Sequence, residues 1–325
     1  MADWPDDPPT TPGSVAVTSW RGFSLVELMI ALAVGSVILG GLVTVYGQSR
    51  RLAGQVESVA ELSDTSRFAL SYIAADLRQA GFYGLVGPAE LIDGTAGPET
   101  PVSIPVSGDC GRNWSTSLHL PVEGLNNRYS LDCRPYRGGA RAGSDVLVIR
   151  RAASRTSEPE SGRLQVHSGP GYGSLNDAGV VPEIEPVETR DLIVTAYYVS
   201  SASSIGRKTA GLRRKILRAG PRIADEEIIP GVEDIQVQFG VVVETAELSG
   251  QDSAIAWVNP ESPTLSADDS TVVAVRLWLL LSSDDVPLEY HARIGAYADQ
   301  AVPPADNRRR TLVTRTFSIR NGDPG

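Results

Sequence analysis

Hydrophobic positions are distributed very unevenly along the chain. From Leu28 to Ser49 no charged residue occurs in 22 positions, most of them Leu, Val, Ile, Ala or Gly. As a helix this stretch would be about 33 Å long, enough to cross the hydrocarbon core of a bilayer. Past Arg51 the apolar residues thin out to Leu52, Val56, Val59, Leu62, Ala69, Ile73, Leu77 and Ala80, at three-, four- and seven-residue steps. That spacing predicts the same helix continuing with one buried face, Arg67, Asp76, Arg78 and Gln79 on its other sides, and a stop at Gly81 and Gly84. The pattern then changes towards period two. Strands are predicted at 144–149, 192–199, 212–218, 232–243, 271–281 and 311–319, where apolar residues alternate imperfectly with polar ones. Between them the Pro/Gly/Ser-rich stretches 87–108, 153–175, 244–270 and 298–308 are expected to be long loops. Strands separated by loops rather than helices predict an α+β fold, with a largely antiparallel sheet packed on the long helix.

Composition narrows the function classes. The chain has 325 residues, with 29 Lys+Arg against 39 Asp+Glu and a net charge of −10. Such acidity argues against a nucleic-acid binder relying on a general basic surface, although Arg207, Lys208, Arg213, Arg214 and Lys215 form a local basic run. With 3 His and 2 Cys, a Cys-rich four-ligand zinc module is excluded. His119, His167 and His291 are scattered, and neither a G-x-S-x-G elbow nor an S-x-x-K motif occurs. Gly169-Pro170-Gly171-Tyr172-Gly173 lacks the Lys of a phosphate loop and is expected to be a turn. Asp268-Asp269 and Asp284-Asp285 are expected to be solvated, as is Arg308-Arg309-Arg310. Neither catalysis nor a cofactor or metal is expected.

Two features carry more specific chemistry. Glu27 stands at the start of the apolar run, where a carboxylate is costly unless paired or close to the interface. The helix N-terminus would favour it, and a chain cut just upstream would supply a second partner, a new α-ammonium. Small residues line the membrane half, with Ala31/Gly35 and Ser36/Gly40 at spacings that permit close helix approach. Separately, Cys110 and Cys133 would close a loop of about 24 residues if oxidised, worth on the order of 3 kcal/mol by chain entropy.

Arg21-Gly22-Phe23-Ser24-Leu25-Val26-Glu27-Leu28-Met29-Ile30-Ala31-Leu32 closely resembles the class III signal of type IV prepilins. The resemblance implies cleavage by a prepilin peptidase between Gly22 and Phe23, N-methylation of Phe23, and a role in assembly for Glu27. The leader departs from the usual short basic kind, being Pro-rich and acidic. Asp76 to Gly84, Ser144 to Arg151, Gly231 to Val237 and Thr314 to Asn321 further resemble PilW-type minor pilins. The implied organisation is a leader at 1–22, a long helix at 23–84 that is transmembrane over about 25–47, and a periplasmic globular domain at 85–325. An extracytoplasmic location favours a Cys110–Cys133 disulfide. The implied function is pilus assembly from the inner membrane, with other minor pilins, the major pilin and the inner-membrane assembly platform as partners. Two alternatives stand beside it: a minor pseudopilin of type II secretion, which uses the same processing signal and architecture, and a pilus-tip adhesin or DNA-uptake subunit whose long loops bind a ligand.

Overall fold

The computed structural model describes residues 22–96, 104–183, 186–205, 209–244, 253–266, 271–283, 294–302 and 308–321. The leader residues 1–21, Arg207, Lys208, Asp268-Asp269, Asp284-Asp285 and His291 lie outside them. The chain divides into two compact units, residues 1–55 and 56–325.

A single helix, α1 (Leu25–Leu77), begins in the first unit and ends in the second. In the first unit its apolar residues are exposed, Leu28 to Tyr46 included. A helix with this composition and no buried face is suited to lipid rather than water. In the second unit α1 has an inner stripe, with Leu62, Ala69, Ile73 and Leu77 fully or almost fully buried. The turn that follows places Gly81 at φ +74°, where its N–H donates to the Arg150 carbonyl. A Cβ there would also meet the Asn321 carbonyl oxygen at 2.6 Å, so both conformation and space demand glycine.

Among the described residues twelve strands follow: β1 (Ile92–Asp93), β2 (Val122–Leu125), β3 (Val146–Ala152), β4 (Gln165–Gly169), β5 (Tyr172–Asn176), β6 (Glu188–Ser200), β7 (Gly211–Arg218), β8 (Arg222–Pro230), β9 (Val232–Glu244), β10 (Ser253–Val258), β11 (Thr271–Ser282) and β12 (Arg310–Ser318). They form two sheets rather than the single one expected. The first runs β1-β5-β4-β6-β3-β2, with β7 on β6 and β8 on β7; the second runs β10-β9-β11-β12. Every strand pair is antiparallel except β1 with β5.

Alternation explains how the first sheet fills two cores. Leu147, Ile149, Tyr197 and Val199 point into one core with the last turns of α1 and with Ile235, Val237, Val275 and Leu277 of the second sheet. Their neighbours Val146, Val148, Ala196 and Tyr198 point the other way, onto Tyr83, Cys110, Trp114 and Leu118. The fold is α+β, as the pattern predicts.

The expected loop 153–175 is a correction: it contains β4 and, with β5, a hairpin turned at Pro170-Gly171. Hydropathy hid β4 because its buried residues are polar. Gln165 donates to Ser157, Glu158 and Asp191, and His167 sits 2.8 Å from the Thr189 hydroxyl. The stretch 244–270 likewise contains β10. β8 was hidden by its charge.

Candidate functional site

At the start of α1, Ser24 and Glu27 satisfy each other. The Glu27 N–H donates to Ser24 Oγ at 3.2 Å, and the Ser24 N–H donates to Glu27 Oε2 at 3.3 Å. This is a capping box: two N–H groups with no intrahelical acceptor are closed reciprocally, and the carboxylate sits at the positive end of the helix dipole. The S-x-x-E spacing was available in the sequence as a signal for it. Just upstream, Phe23 is 87% exposed, and among the described residues no atom beyond its chain neighbours lies within 4 Å of where a Cβ on Gly22 would stand. Among the described residues nothing covers the Gly22–Phe23 peptide bond, and the helix after it carries its own cap from Ser24 and Glu27.

The other end of α1 is fixed to the first sheet through Asp76. The periodicity put Asp76 on an outer side, yet it is 7% exposed. One carboxylate oxygen accepts from Arg151 Nη2 at 2.7 Å and Nε at 3.0 Å, and the other accepts the Tyr197 hydroxyl at 2.6 Å. A two-point guanidinium bond and a buried phenol give both carboxylate oxygens a donor and the charge a counter-ion, which is the condition for tolerating a buried carboxylate. Arg150, next in the chain, turns to the opposite face and is fully buried. Its guanidinium donates to the Trp114 and Leu120 carbonyls and to Glu123.

Cys110 and Cys133 are joined by a disulfide that closes the segment covering the second core. With both sulfurs so engaged, His119 has no thiolate beside it; its Nδ1 lies 2.9 Å from the Ala96 carbonyl. Among the described residues no group of three or more His, Cys, Asp and Glu side chains is placed to hold a metal ion. Replacing both cysteines with Ser is expected to destabilise the globular unit by about 3 kcal/mol. Urea unfolding with and without reductant measures this: reductant should lower the midpoint of the parent chain and leave the variant unmoved.

The basic run on β7 does not present free cations. Arg213 pairs with Asp225 and Glu227, Arg214 with Glu226, and Lys215 with Asp225. These acids lie on β8, brought opposite by the antiparallel register. Burial pushes Asp225, Glu226 and Glu227 upward. Hydrogen bonds from Lys215, Arg213, Arg214, Arg218, Ser203 and Ser204 outweigh it and hold all three below the usual carboxylate range.

Asp145 behaves in the opposite way. It is 1% exposed at the start of β3, where it bridges the sheets by accepting N–H bonds from Asn127 and from Val237 on β9. Burial dominates those two bonds and pushes its carboxyl up to about 7. The folded state thus holds a proton that the unfolded chain has lost, and this stabilisation fades as pH rises from about 4 through 7. The stability difference between the parent chain and Asp145→Asn is expected to fall by about 2–3 kcal/mol between pH 5 and pH 8. Denaturant titrations of both chains across that range check the sign.

Comparison with known proteins bears on both ends of the chain. Residues 21–43 match the prokaryotic N-terminal methylation motif, and residues 196–321 match the family described as Type IV Pilus-assembly protein W. A pilin-like protein, PilA3, from Thermus thermophilus is 36% identical over 61 residues, covering 19% of this chain. The chain thus spans about a quarter of that relative's length. Among solved structures, the type IV-like pilin TTHA1219 from Thermus thermophilus aligns with 81% of this chain and 98% of its own, at 13% identity and a TM-score of 0.34.

Proposed function

We propose that this chain, a type IV pilin-like protein with a PilW segment, serves as a minor pilin in type IV pilus assembly. The observation that carries the reading is the conjunction at its N-terminus. An accessible Gly22–Phe23 bond, a capped Glu27 and an exposed membrane-length helix stand in sequence, inside the methylation motif. The PilW match over 196–321 favours a pilus over a type II secretion system.

In this reading the precursor waits in the inner membrane with residues 85–325 in the periplasm. Prepilin peptidase cuts after Gly22, and the freed amine of Phe23 is methylated but keeps its charge. In the precursor, the Glu27 carboxylate is held by the Ser24 N–H. In the filament it pairs with the α-ammonium of a neighbouring subunit, so that two charges enter the apolar bundle together. The small residues Ala31, Gly35, Ser36 and Gly40 let neighbouring helices approach. Helix packing supplies the driving force and no catalytic step is required. The globular unit, locked to α1 by Asp76, Arg151 and Tyr197, presents the surface by which other minor pilins and the major pilin are selected. The ion pairing of Arg213, Arg214 and Lys215 with β8 gives no support to a DNA-uptake role.

The test is deletion of the gene in its own host, with complementation by the parent chain. Loss of sheared surface pili with type II secretion intact supports the reading; normal piliation with a secretion defect supports the pseudopilin alternative.

A further inference from the structure

The geometry points to a binding platform for an acidic polysaccharide on the outer face of the second sheet, formed by Trp257, Arg276 and Trp278. Alternation along β11 sends Val275, Leu277 and Leu279 into the core and leaves Arg276 and Trp278 on the opposite face. The register then assembles one surface from four strands. Arg276 stands opposite Gln238 on β9 and Thr316 on β12, Trp278 opposite Gln236 and Thr314, and Trp257 of β10 opposite Gly240. Gly240 leaves room for both β10 side chains: a Cβ there would stand 3.0 Å from Ile255 Cγ2 and 3.3 Å from the Trp257 ring carbon Cη2.

On this surface the Arg276 guanidinium lies 3.8 Å from the centre of the Trp257 ring and 5.8 Å from that of Trp278. All three side chains are half-buried, Thr314 and Thr316 are exposed, and neighbouring Ile255 is 53% exposed. Further along the same face, Gln236 is covered, donating to the Gly143 carbonyl, so the open part is the end bearing the stack.

Two properties set this patch apart. First, it sets two half-buried tryptophans side by side on the outer face, whereas Phe239 on the inner face of the same sheet is buried. Second, no carboxylate or carbonyl among the described residues takes the N–H groups of Arg276, in contrast to Arg213 and Arg214. Stacking fixes the guanidinium plane while leaving its donor edges available, which suits two-point recognition of a carboxylate. The half-buried Trp278 ring suits the apolar face of a pyranose ring, and the exposed Thr314 and Thr316 hydroxyls suit sugar hydroxyls, while the Gln238 amide is already given to Asn259. A carboxylate, an apolar ring face and several hydroxyls together describe a uronate-bearing sugar chain. A nucleic acid would need several cations along its backbone, whereas the stack described here contributes Arg276 to a chain of net charge −10.

The test titrates full-length protein, in a detergent without sugar headgroups, with oligogalacturonate, maltotriose and oligothymidylate. Tryptophan fluorescence and saturation-transfer NMR are the readouts. Saturable oligogalacturonate binding is expected, weakened at least about tenfold in Arg276→Gln, with maltotriose weaker than oligogalacturonate. Trp278→Ala, checked for folding by circular dichroism, should also weaken it. Three results would overturn the inference: no saturable oligogalacturonate binding by the folded parent chain, binding unchanged in Arg276→Gln, or tighter binding of oligothymidylate. The inference is independent of processing and assembly, which these variants should leave intact.

Discussion

A chain carrying Glu27→Gln is expected to be inserted and cleaved like the parent, yet to be almost absent from assembled filaments. Gln keeps the shape and can still accept the Ser24 N–H that Glu27 accepts at 3.3 Å, so the helix start survives. What disappears is the negative charge. The amine of Phe23 would then enter the apolar bundle without a counter-charge, and an unpaired ion there costs several kcal/mol. Incorporation should fall by about a hundredfold or more relative to the membrane-bound pool. Immunoblots of sheared filaments against membrane fractions measure the ratio directly. Normal incorporation of Glu27→Gln would show that the carboxylate plays no part in assembly.

The second large effect is expected at the other end of the helix. Arg151→Met should destabilise the globular unit by about 3–5 kcal/mol, because it leaves Asp76 buried with only Tyr197 to hold its charge. Adding Asp76→Leu to that variant should restore a good part of the loss, since removing both charges is much cheaper than orphaning one. Urea unfolding followed by circular dichroism separates the cases. If the single and double variants unfold at the same midpoint, the pair contributes packing rather than charge compensation.

Much of this architecture was legible in the chain. The membrane stretch is marked by an unbroken absence of charge, and the six strands richest in aliphatic residues were predicted because their inward positions repeat every second residue. The elements that escaped are those whose buried groups are polar. β4 buries Gln165, His167 and Ser168, whose partners Ser157, Glu158, Asp191, Thr189 and the Leu85 N–H are scattered along the chain and leave no local pattern. β8 carries Asp225, Glu226 and Glu227 because it faces the cations of β7, a pairing that no local pattern encodes. Asp76 escaped for the same reason: helical periodicity places it outside, whereas Arg151, 75 residues away, draws it in.

At the site, Gly22, Phe23 and Glu27 could be picked out through the resemblance to prepilin signals. The reciprocal bond between Ser24 and Glu27 was spelled by their spacing but is recognisable as a cap only once the helix is seen to begin at Leu25. The Trp257–Arg276–Trp278 surface was not foreseeable, because its members come from two different strands, β10 and β11. Their adjacency exists only in the register of β10, β9 and β11.

The central claim is that this is a processed pilin-like subunit, and the most direct test is intact mass with N-terminal sequencing on protein co-expressed with and without a prepilin peptidase. The expected product, seen only with the peptidase, is a chain lacking residues 1–22 that begins at N-methylated Phe23. A chain left uncut, or cut elsewhere, would contradict the account, because without a free amine at Phe23 Glu27 has no charge to meet in the filament.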